Sequence, residues 1–308
     1  MGTPEFAVPT LVALVGSEHQ VVAVYTQPDR PAGRGRGLGL SAVKKEALAY
    51  GLPVWQPATL RQTGEIDRLA DLKPEVIVVA AFGQLLPQSI LDIPPLGCLN
   101  VHPSLLPKHR GSSPVATAIL NGDETTGVTI MLMDKGFDTG PVLAQQQIAI
   151  SPEDTTGTLS AKLAQLGADL LRQTLPLWMS GGLTPQPQDD NLASYSKPIT
   201  REEGEIDWHL EAVELWRKVR AFQPWPGCYT RWQNKQLKII AALPLPRESE
   251  HEPGKVLAIK PSLGVSVGVQ TGEGVLGILR LQLEGRRAMD IEEFLRGQRG
   301  FAEALLPC

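Results

Sequence analysis

A change of texture near residue 181 constrains the fold more than any other feature. Upstream, β-branched apolar runs alternate with stretches of helical periodicity; downstream, short β-like runs follow one another with Pro and Gly between them. Residues 21–25, 76–82, 128–133 and 142–150 read as strands. Residues 41–50 read as a helix with Ser41 as cap and Gly51 as stop. Ser113, Pro114 and Asn121-Gly122 punctuate another helix, and residues 158–175 carry helical periodicity. The uninterrupted apolar run 76–82 is the pattern of a strand buried on both faces. Strands alternating with helices predict an α/β first domain built on a doubly wound parallel sheet.

Gly181-Gly182-Leu183-Thr184-Pro185-Gln186-Pro187 breaks that pattern and opens a linker. The expected organisation is a first domain over 1–190, a linker over 191–206 and a second domain over 207–308. In the latter a helix over 210–222 precedes β-like runs at 228–232, 237–241, 256–259, 265–269 and 275–283, which predicts a small antiparallel barrel. Asp290, with Glu293 three residues on, predicts a capping box for a last helix. Trp225 and Trp232 are expected in the barrel core, although Trp225-Pro226-Gly227 also suits a surface turn.

Composition narrows the function classes. A length of 308 residues suits two domains, and 42% apolar content supports ordinary cores. The net charge of −4 means that any nucleic-acid contact must use a local patch. Cys98, Cys228 and Cys308 are odd in number and far apart, and the histidines show no metal-ligand spacing, so no metal is expected. That pattern favours a reducing cytoplasm. No apolar run approaches the ~18 residues of a membrane span, and the apolar N-terminus lacks a basic leader.

The chemistry is carried by Asn100-Val101-His102 and by Asp138 in a later loop. Asn100 and His102 are two apart, so in an extended strand their side chains leave one face. They follow the buried run 76–82, and ligands in such sheets bind outside the carboxyl ends of the strands. An amide and an imidazole side by side there suit a developing oxyanion, which points to transfer of an acyl-type group. The basic loop from Asp29 to Gly39 reads either as an anion-binding lid or as a solvated loop. It is no dinucleotide fingerprint, because the third glycine position falls on Leu38 or Leu40. Asp138-Thr139-Gly140 matches the aspartic protease triplet, but that chemistry needs two facing carboxylates and the chain has one triplet.

Several motifs together resemble the methionyl-tRNA formyltransferases of the folate-dependent formyltransferase superfamily. They are Gly2-Thr3-Pro4-Glu5-Phe6-Ala7, Gln27-Pro28-Asp29-Arg30-Pro31-Ala32-Gly33-Arg34-Gly35, Asn100-Val101-His102-Pro103-Ser104-Leu105-Leu106-Pro107, Arg110-Gly111, Asp138-Thr139-Gly140, Ile206-Asp207-Trp208 and Pro224-Trp225-Pro226-Gly227. The resemblance runs over essentially the whole chain. It implies a Rossmann-like catalytic domain followed by an OB-like β-barrel that binds tRNA. It implies transfer of the formyl group of 10-formyltetrahydrofolate, the formyl donor co-substrate, to the α-amine of methionine on initiator methionyl-tRNA, for translation initiation. Asn100, His102 and Asp138 become the catalytic set: Asn100 and His102 stabilise the oxyanion, and Asp138 orients His102 and helps to remove the amine proton. A carboxylate beside His102 is expected to favour the imidazolium. Ser104, Leu105, Leu106 and Pro107 would line the folate site. Arg30, Arg34 and Arg36 would form a lid on the tRNA acceptor end, with Arg34 the key contact. A cytoplasmic monomer (or one in the organelle equivalent of bacterial cytoplasm) is expected.

Two departures stand out. Relatives begin with an apolar strand before the Gly-Thr-Pro-Glu-Phe-Ala turn, whereas here Met1 directly precedes Gly2. Without that central strand its neighbours should be left unpaired and the core opened, at a cost in stability. Lys197 stands one place earlier than in relatives, so no tRNA contact is carried over to it. The alternatives are a formyltransferase for an amino sugar nucleotide, against which the arginine loop speaks, and a non-catalytic RNA-binding relative, against which the intact Asn100, His102 and Asp138 speak.

Overall fold

Pairing along the chain is set by connection length. The link between two eight-residue strands, Thr125–Leu132 and Val142–Ala149, contains no helix. A parallel partner needs a crossover of about a dozen residues or more, so these strands pair antiparallel. The computed structural model describes residues 1–32, 37–246, 251–262 and 265–307. Two compact units emerge: Met1–Pro114, Thr125–Ala149 and Thr158–Lys197 form the first, and Val115–Glu124, Ile150–Gly157 and Pro198–Cys308 the second.

The elements of the first part of the chain are α1 (Val8–Val15), β1 (Val24–Tyr25), β2 (Arg30–Ala32), β3 (Gly37–Gly39), α2 (Ala42–Ala49), β4 (Val54–Trp55), α3 (Thr63–Asp71), β5 (Ile77–Val79), α4 (Gln88–Leu91), β6 (Cys98–His102), β7 (Arg110–Gly111), α5 (Pro114–Asn121), β8 (Thr125–Leu132), β9 (Val142–Ala149), α6 (Thr156–Met179) and β10 (Tyr195–Ser196). Ser41 caps α2 as expected, its hydroxyl accepting from the Lys44 amide at 3.1 Å. The main sheet has the order β5-β6-β8-β9. Only β5 and β6 are parallel in it; β6–β8 and β8–β9 are antiparallel. The doubly wound sheet is therefore mixed, where alternation had predicted an all-parallel one.

β1 and β4 form a separate parallel pair. Met1 and Gly2 lie between β1 and β5. The Gly2 amide donates to the Tyr25 carbonyl at 2.9 Å, and the Ala80 amide to the Met1 carbonyl at 2.9 Å. The Met1 amino group donates to the Val78 carbonyl at 2.7 Å, and burial lowers its pKa to about 5, so it sits there uncharged at neutral pH. Beside these two residues lies a cavity of about 510 Å³, with Leu11, Val22, Val24, Val76 and Leu175 among its walls. Beyond the single Gly2–Ala80 bridge, β1 and β5 belong to different sheets.

Residues 186–196, read from composition as linker, are hydrogen bonded into the first unit. Gln186 and Val142 exchange both backbone bonds at 2.8 Å, and β10 pairs with β7. Division between the units falls at Lys197/Pro198.

The second unit contains α7 (Ala212–Ala221), β11 (Cys228–Trp232), β12 (Lys235–Leu245), β13 (Val256–Ser262), β14 (Val265–Gln270), β15 (Val275–Leu283), β16 (Met289–Asp290) and α8 (Ile291–Gly297). Its antiparallel sheet has the order β11-β12-β15-β14-β13, with β16 beside β15. No pairing joins edge strands β11 and β13 among the described residues, so the barrel is open, as OB-type barrels partly are. Gln233 and Asn234, with φ of +51° and +59°, make the two-residue β11–β12 turn. The expected capping box at Asp290 does not form: no side chain caps α8, and Glu293 pairs with Arg287 instead. Trp232 packs edge to face on Phe294 and Phe301, with ring centroids 5.6 and 5.4 Å away, whereas Trp225 is 59% exposed. Trp232→Ala should therefore cost about 3–5 kcal/mol, read as a lowered urea midpoint; Trp225→Ala should leave it nearly unchanged.

Candidate active site

β6 is a central strand, and its two-residue period puts Asn100 and His102 on one face. Register fixes both positions: Asn100 lies opposite Val79 on one side and Met131 on the other, and His102 lies opposite Thr129. Asp138 sits in the loop between β8 and β9 at φ +55°, in the left-handed region. Asp134 shapes that loop by accepting from the Gly136 amide at 2.9 Å and the Thr139 hydroxyl at 2.7 Å.

The structure brings the three predicted residues together. Asn100 Nδ2 donates to Asp138 Oδ1 at 3.2 Å, and the Gly111 amide donates to Asp138 Oδ2 at 2.8 Å. His102 Nδ1 lies 3.7 Å from Asp138 Oδ2. His102 is the deepest of the set, with 4% of its side chain exposed against 17% for Asp138. Its Nε2 lies 3.2 Å from the His109 carbonyl. A carbonyl only accepts, so Nε2 carries a proton and the neutral ring keeps its lone pair at Nδ1, towards Asp138.

Burial lowers the pKa of His102 and outweighs the opposing pull of Asp138. The resting ring is therefore neutral, which corrects the expected imidazolium. The expectation weighed the neighbouring carboxylate but not the cost of burying the cation. A neutral imidazole with a carboxylate behind its basic nitrogen can accept a proton and then be stabilised as a cation. Asn100 spends one amide proton on Asp138 and has a second to offer a developing oxyanion. The Gly111 amide, which neutralises one carboxylate oxygen, had no signal of its own in the sequence beyond the Arg110-Gly111 motif.

The Ser104–Pro107 residues divide into two kinds. Ser104 is fully buried and its hydroxyl donates to the Lys108 carbonyl at 2.6 Å; Leu106 is 4% exposed and its amide donates to Thr129 Oγ1 at 3.1 Å. These two build the loop, while Leu105 and Pro107 are half-buried and offer an apolar surface. A cleft of about 520 Å³ opens at the carboxyl ends of β1 and β5, walled by Pro4, Gln27, Pro28, Ser41 and Phe82, with Arg30 also lining it. Arg30 is exposed, and its strand β2 pairs with β3 as an antiparallel ribbon where a simple loop was expected. Arg34 and Arg36 lie outside the described residues. Asp29 roots the ribbon: it pairs with Lys44 and accepts from Gln56 Nε2 at 2.9 Å, and the Lys44 bond above all holds its carboxyl below the usual range.

Burial pushes the Cys98 and Cys228 thiols up to about 12, so neither offers a thiolate. Among the described residues no cluster of His, Cys, Asp and Glu is placed to hold a metal ion, and no helix is long and apolar enough to cross a membrane.

The chain is similar over most of its length to proteins of one family. Residues 1–175 match the family described as formyl transferase, and residues 198–299 match formyl transferase, C-terminal domain. A methionyl-tRNA formyltransferase of Roseiflexus castenholzii is 47% identical over 301 residues, 97% of this chain and 95% of that protein. One from Dehalococcoides mccartyi is 48% identical over 301 residues, 98% of this chain and 94% of its own. Among solved structures, the sugar 3N-formyl transferase WlaRD shares the fold at TM-score 0.65 with 19% identity, covering 93% of this chain and 97% of its own. HypX from Aquifex aeolicus in complex with tetrahydrofolic acid has TM-score 0.59 and 20% identity, covering 84% of this chain and 44% of its own.

Proposed function

The chain belongs to the formyl transferase family, and from that premise we propose that it moves the formyl group of 10-formyltetrahydrofolate to the α-amine of methionine on initiator tRNA, for translation initiation. The observation that carries this reading is the near-full-length identity of 47% to methionyl-tRNA formyltransferases, joined to an intact Asn100–Asp138–His102 constellation. The reaction would take place in the cytoplasm, or the organelle compartment equivalent to it, with the chain acting as a monomer.

The folate fits the groups present. Pro28 and Phe82 in the cleft, and Leu105 and Pro107 on the loop after β6, offer apolar surface for a ring system; Gln27, Ser41 and Arg30 offer polar partners for its heteroatoms and anionic tail. The folate supplies the activated formyl carbon. Asn100 would donate its second amide proton to the negative charge that develops on the formyl oxygen. His102 would take the proton that the amine loses on acylation, at Nδ1, with Asp138 stabilising the resulting cation. The same proton would pass to folate N10 as the bond from N10 to the formyl carbon breaks, so that tetrahydrofolate leaves as the neutral amine. Asp138 also holds Asn100 in place from the other side.

For the tRNA, Arg30 on the ribbon would meet the acceptor end together with Arg34 and Arg36. The sheet of the second unit would hold the acceptor arm through solvent-facing cations such as Arg231, Lys235 and Arg280. Local basic groups thereby reconcile RNA binding with a net charge of −4. Arg30→Ala should raise KM for tRNA, leave KM for a small amine acceptor unchanged, and reduce the slope of log affinity against log salt by about 1. An unchanged slope would remove Arg30 from the interface.

The test of the whole reading is formation of formylmethionyl-tRNA from 10-formyltetrahydrofolate and methionine-charged initiator tRNA, run beside an amino sugar nucleotide as rival acceptor. Product on the tRNA alone is expected. Product on the sugar nucleotide alone would overturn the assignment of acceptor.

A further inference from the structure

We infer that Gln188, backed by Arg110, is a positioning residue of this site: it holds the backbone of Asp138 so that the carboxylate reaches Asn100 and the Gly111 amide. The inference rests on the catalytic role proposed for Asp138. Asp138 is a non-glycine residue in the left-handed region, a conformation that persists only where the surroundings hold it. Its side chain is held by Asn100 and Gly111. Its main chain is held by Gln188, whose Nε2 donates to the Asp138 carbonyl at 2.8 Å and to the Gly140 carbonyl at 2.7 Å. Both amide protons of Gln188 are thus spent across the reactive loop.

The acceptor end of the same amide is equally committed. Gln188 Oε1 accepts from Arg110 Nε at 3.0 Å and Nη2 at 2.9 Å, a fork that fixes the amide plane and with it the direction of both N–H bonds. Arg110 is itself buried, 2% exposed, and its Nη2 donates to Asp190 Oδ1 at 2.8 Å. Its position is set by β7, which pairs with β10 and whose next residue is the Gly111 that binds the Asp138 carboxylate. The backbone bridge between Gln186 and Val142 sets the register, so that two residues on Gln188 comes opposite Gly140. Arg110 and Gln188 therefore tie both sides of Asp138 to one rigid pair of strands.

The test is steady-state formyl transfer by Gln188→Leu, which keeps the bulk and removes every hydrogen bond. We expect kcat to fall about 10- to 100-fold, as a displacement of about 1 Å at a reacting group does, with KM for both substrates within about twofold because Gln188 touches neither. The same change made in an Asp138→Ala background should lower kcat by less than about twofold, because no carboxylate remains to be positioned. A Gln188→Leu chain with kcat within about twofold of the parent would overturn the inference, and so would a loss that persists undiminished without Asp138. A readout that needs no turnover keeps the two proposals separate: amide hydrogen exchange across residues 134–141 should quicken in Gln188→Leu by more than it does across the rest of the first unit. If the parent chain formylated no tested acceptor, the catalytic reading would fail while the exchange still decided the positioning one, and unaltered exchange would overturn it.

Discussion

Replacing Asn100 with alanine is expected to lower kcat about 100- to 1000-fold, the loss typical of one preorganised donor to a developing oxyanion. The amide does two things at once. Its bond to Asp138 Oδ1 at 3.2 Å orients the carboxylate, and its remaining proton would serve the oxyanion in the proposed reaction. Truncation removes both and releases Oδ1, so Asp138 can close on His102 Nδ1 from the present 3.7 Å. The variant should therefore carry a second signature. In the parent, burial keeps the His102 pKa below the ordinary 6.5, so the acid limb of kcat/KM should lie below that value. In Asn100→Ala the closer carboxylate favours the cation and moves the limb upward; Asp138→Asn removes the carboxylate and moves it downward. Steady-state kinetics across pH on the three proteins checks this, and a kcat within about tenfold of the parent for Asn100→Ala would remove it from the reaction. The double variant Asn100→Ala, His102→Ala should lose far less than the product of the two single losses, because the residues act on one charge.

The same burial has a thermodynamic consequence. A buried base with a lowered pKa binds fewer protons in the folded chain than in the unfolded one over the interval between the two values. Stability should be fully present above the unfolded value of about 6.5 and decline as pH falls through the interval below it. A His102→Gln chain should show a flatter pH dependence of its urea midpoint there.

What was legible in the sequence depended on how local the cause was. The two-residue spacing of Asn100 and His102 determines their common face, because strand geometry leaves no other outcome. The cap at Ser41 follows from the i to i+3 reach of one hydroxyl. The Asp290 box had the right spacing and still failed, because Glu293 found Arg287 from a neighbouring segment. Sheet direction was only half legible: alternation suggests parallel strands, but the helix-free link from β8 to β9 dictates otherwise. The role of residues 186–196 was hidden by composition. The Pro185-Gln186-Pro187-Gln188 run and the polar residues after it read as linker, while Gln186 and Gln188 make specific bonds to residues some 44 to 50 positions away. The resting charge of His102 was misjudged for a related reason, since burial is a property of the assembled fold and the Asp138 pairing alone could be inferred.

Gly111→Ala should cost about 2–6 kcal/mol, because backbone strain and a backbone clash coincide there. Gly111 lies at φ +115°, where a side chain is strained by roughly 1–3 kcal/mol. An added Cβ would also meet the Ser196 carbonyl oxygen at 2.4 Å, and that carbonyl belongs to β10, which is paired with β7. Backbone cannot step aside as a flexible side chain does, so β7 and β10 must part, and overpacking of this kind adds about 1–3 kcal/mol. The loss should reach the site as well, because the Gly111 amide is the 2.8 Å donor to Asp138 Oδ2. A shift of about 1 Å there should lower kcat roughly 100-fold in molecules that remain folded. Gly181→Ala isolates the strain alone: its φ is +73°, yet nothing lies within 4 Å of the added Cβ. That control should lose about 1–2 kcal/mol and keep its full kcat. Urea midpoints and kcat, measured on both variants at a temperature where each is folded, separate the two effects. A Gly111→Ala chain that loses stability but turns over at the parental rate would show that the amide's bond to Asp138 plays no part in the chemistry.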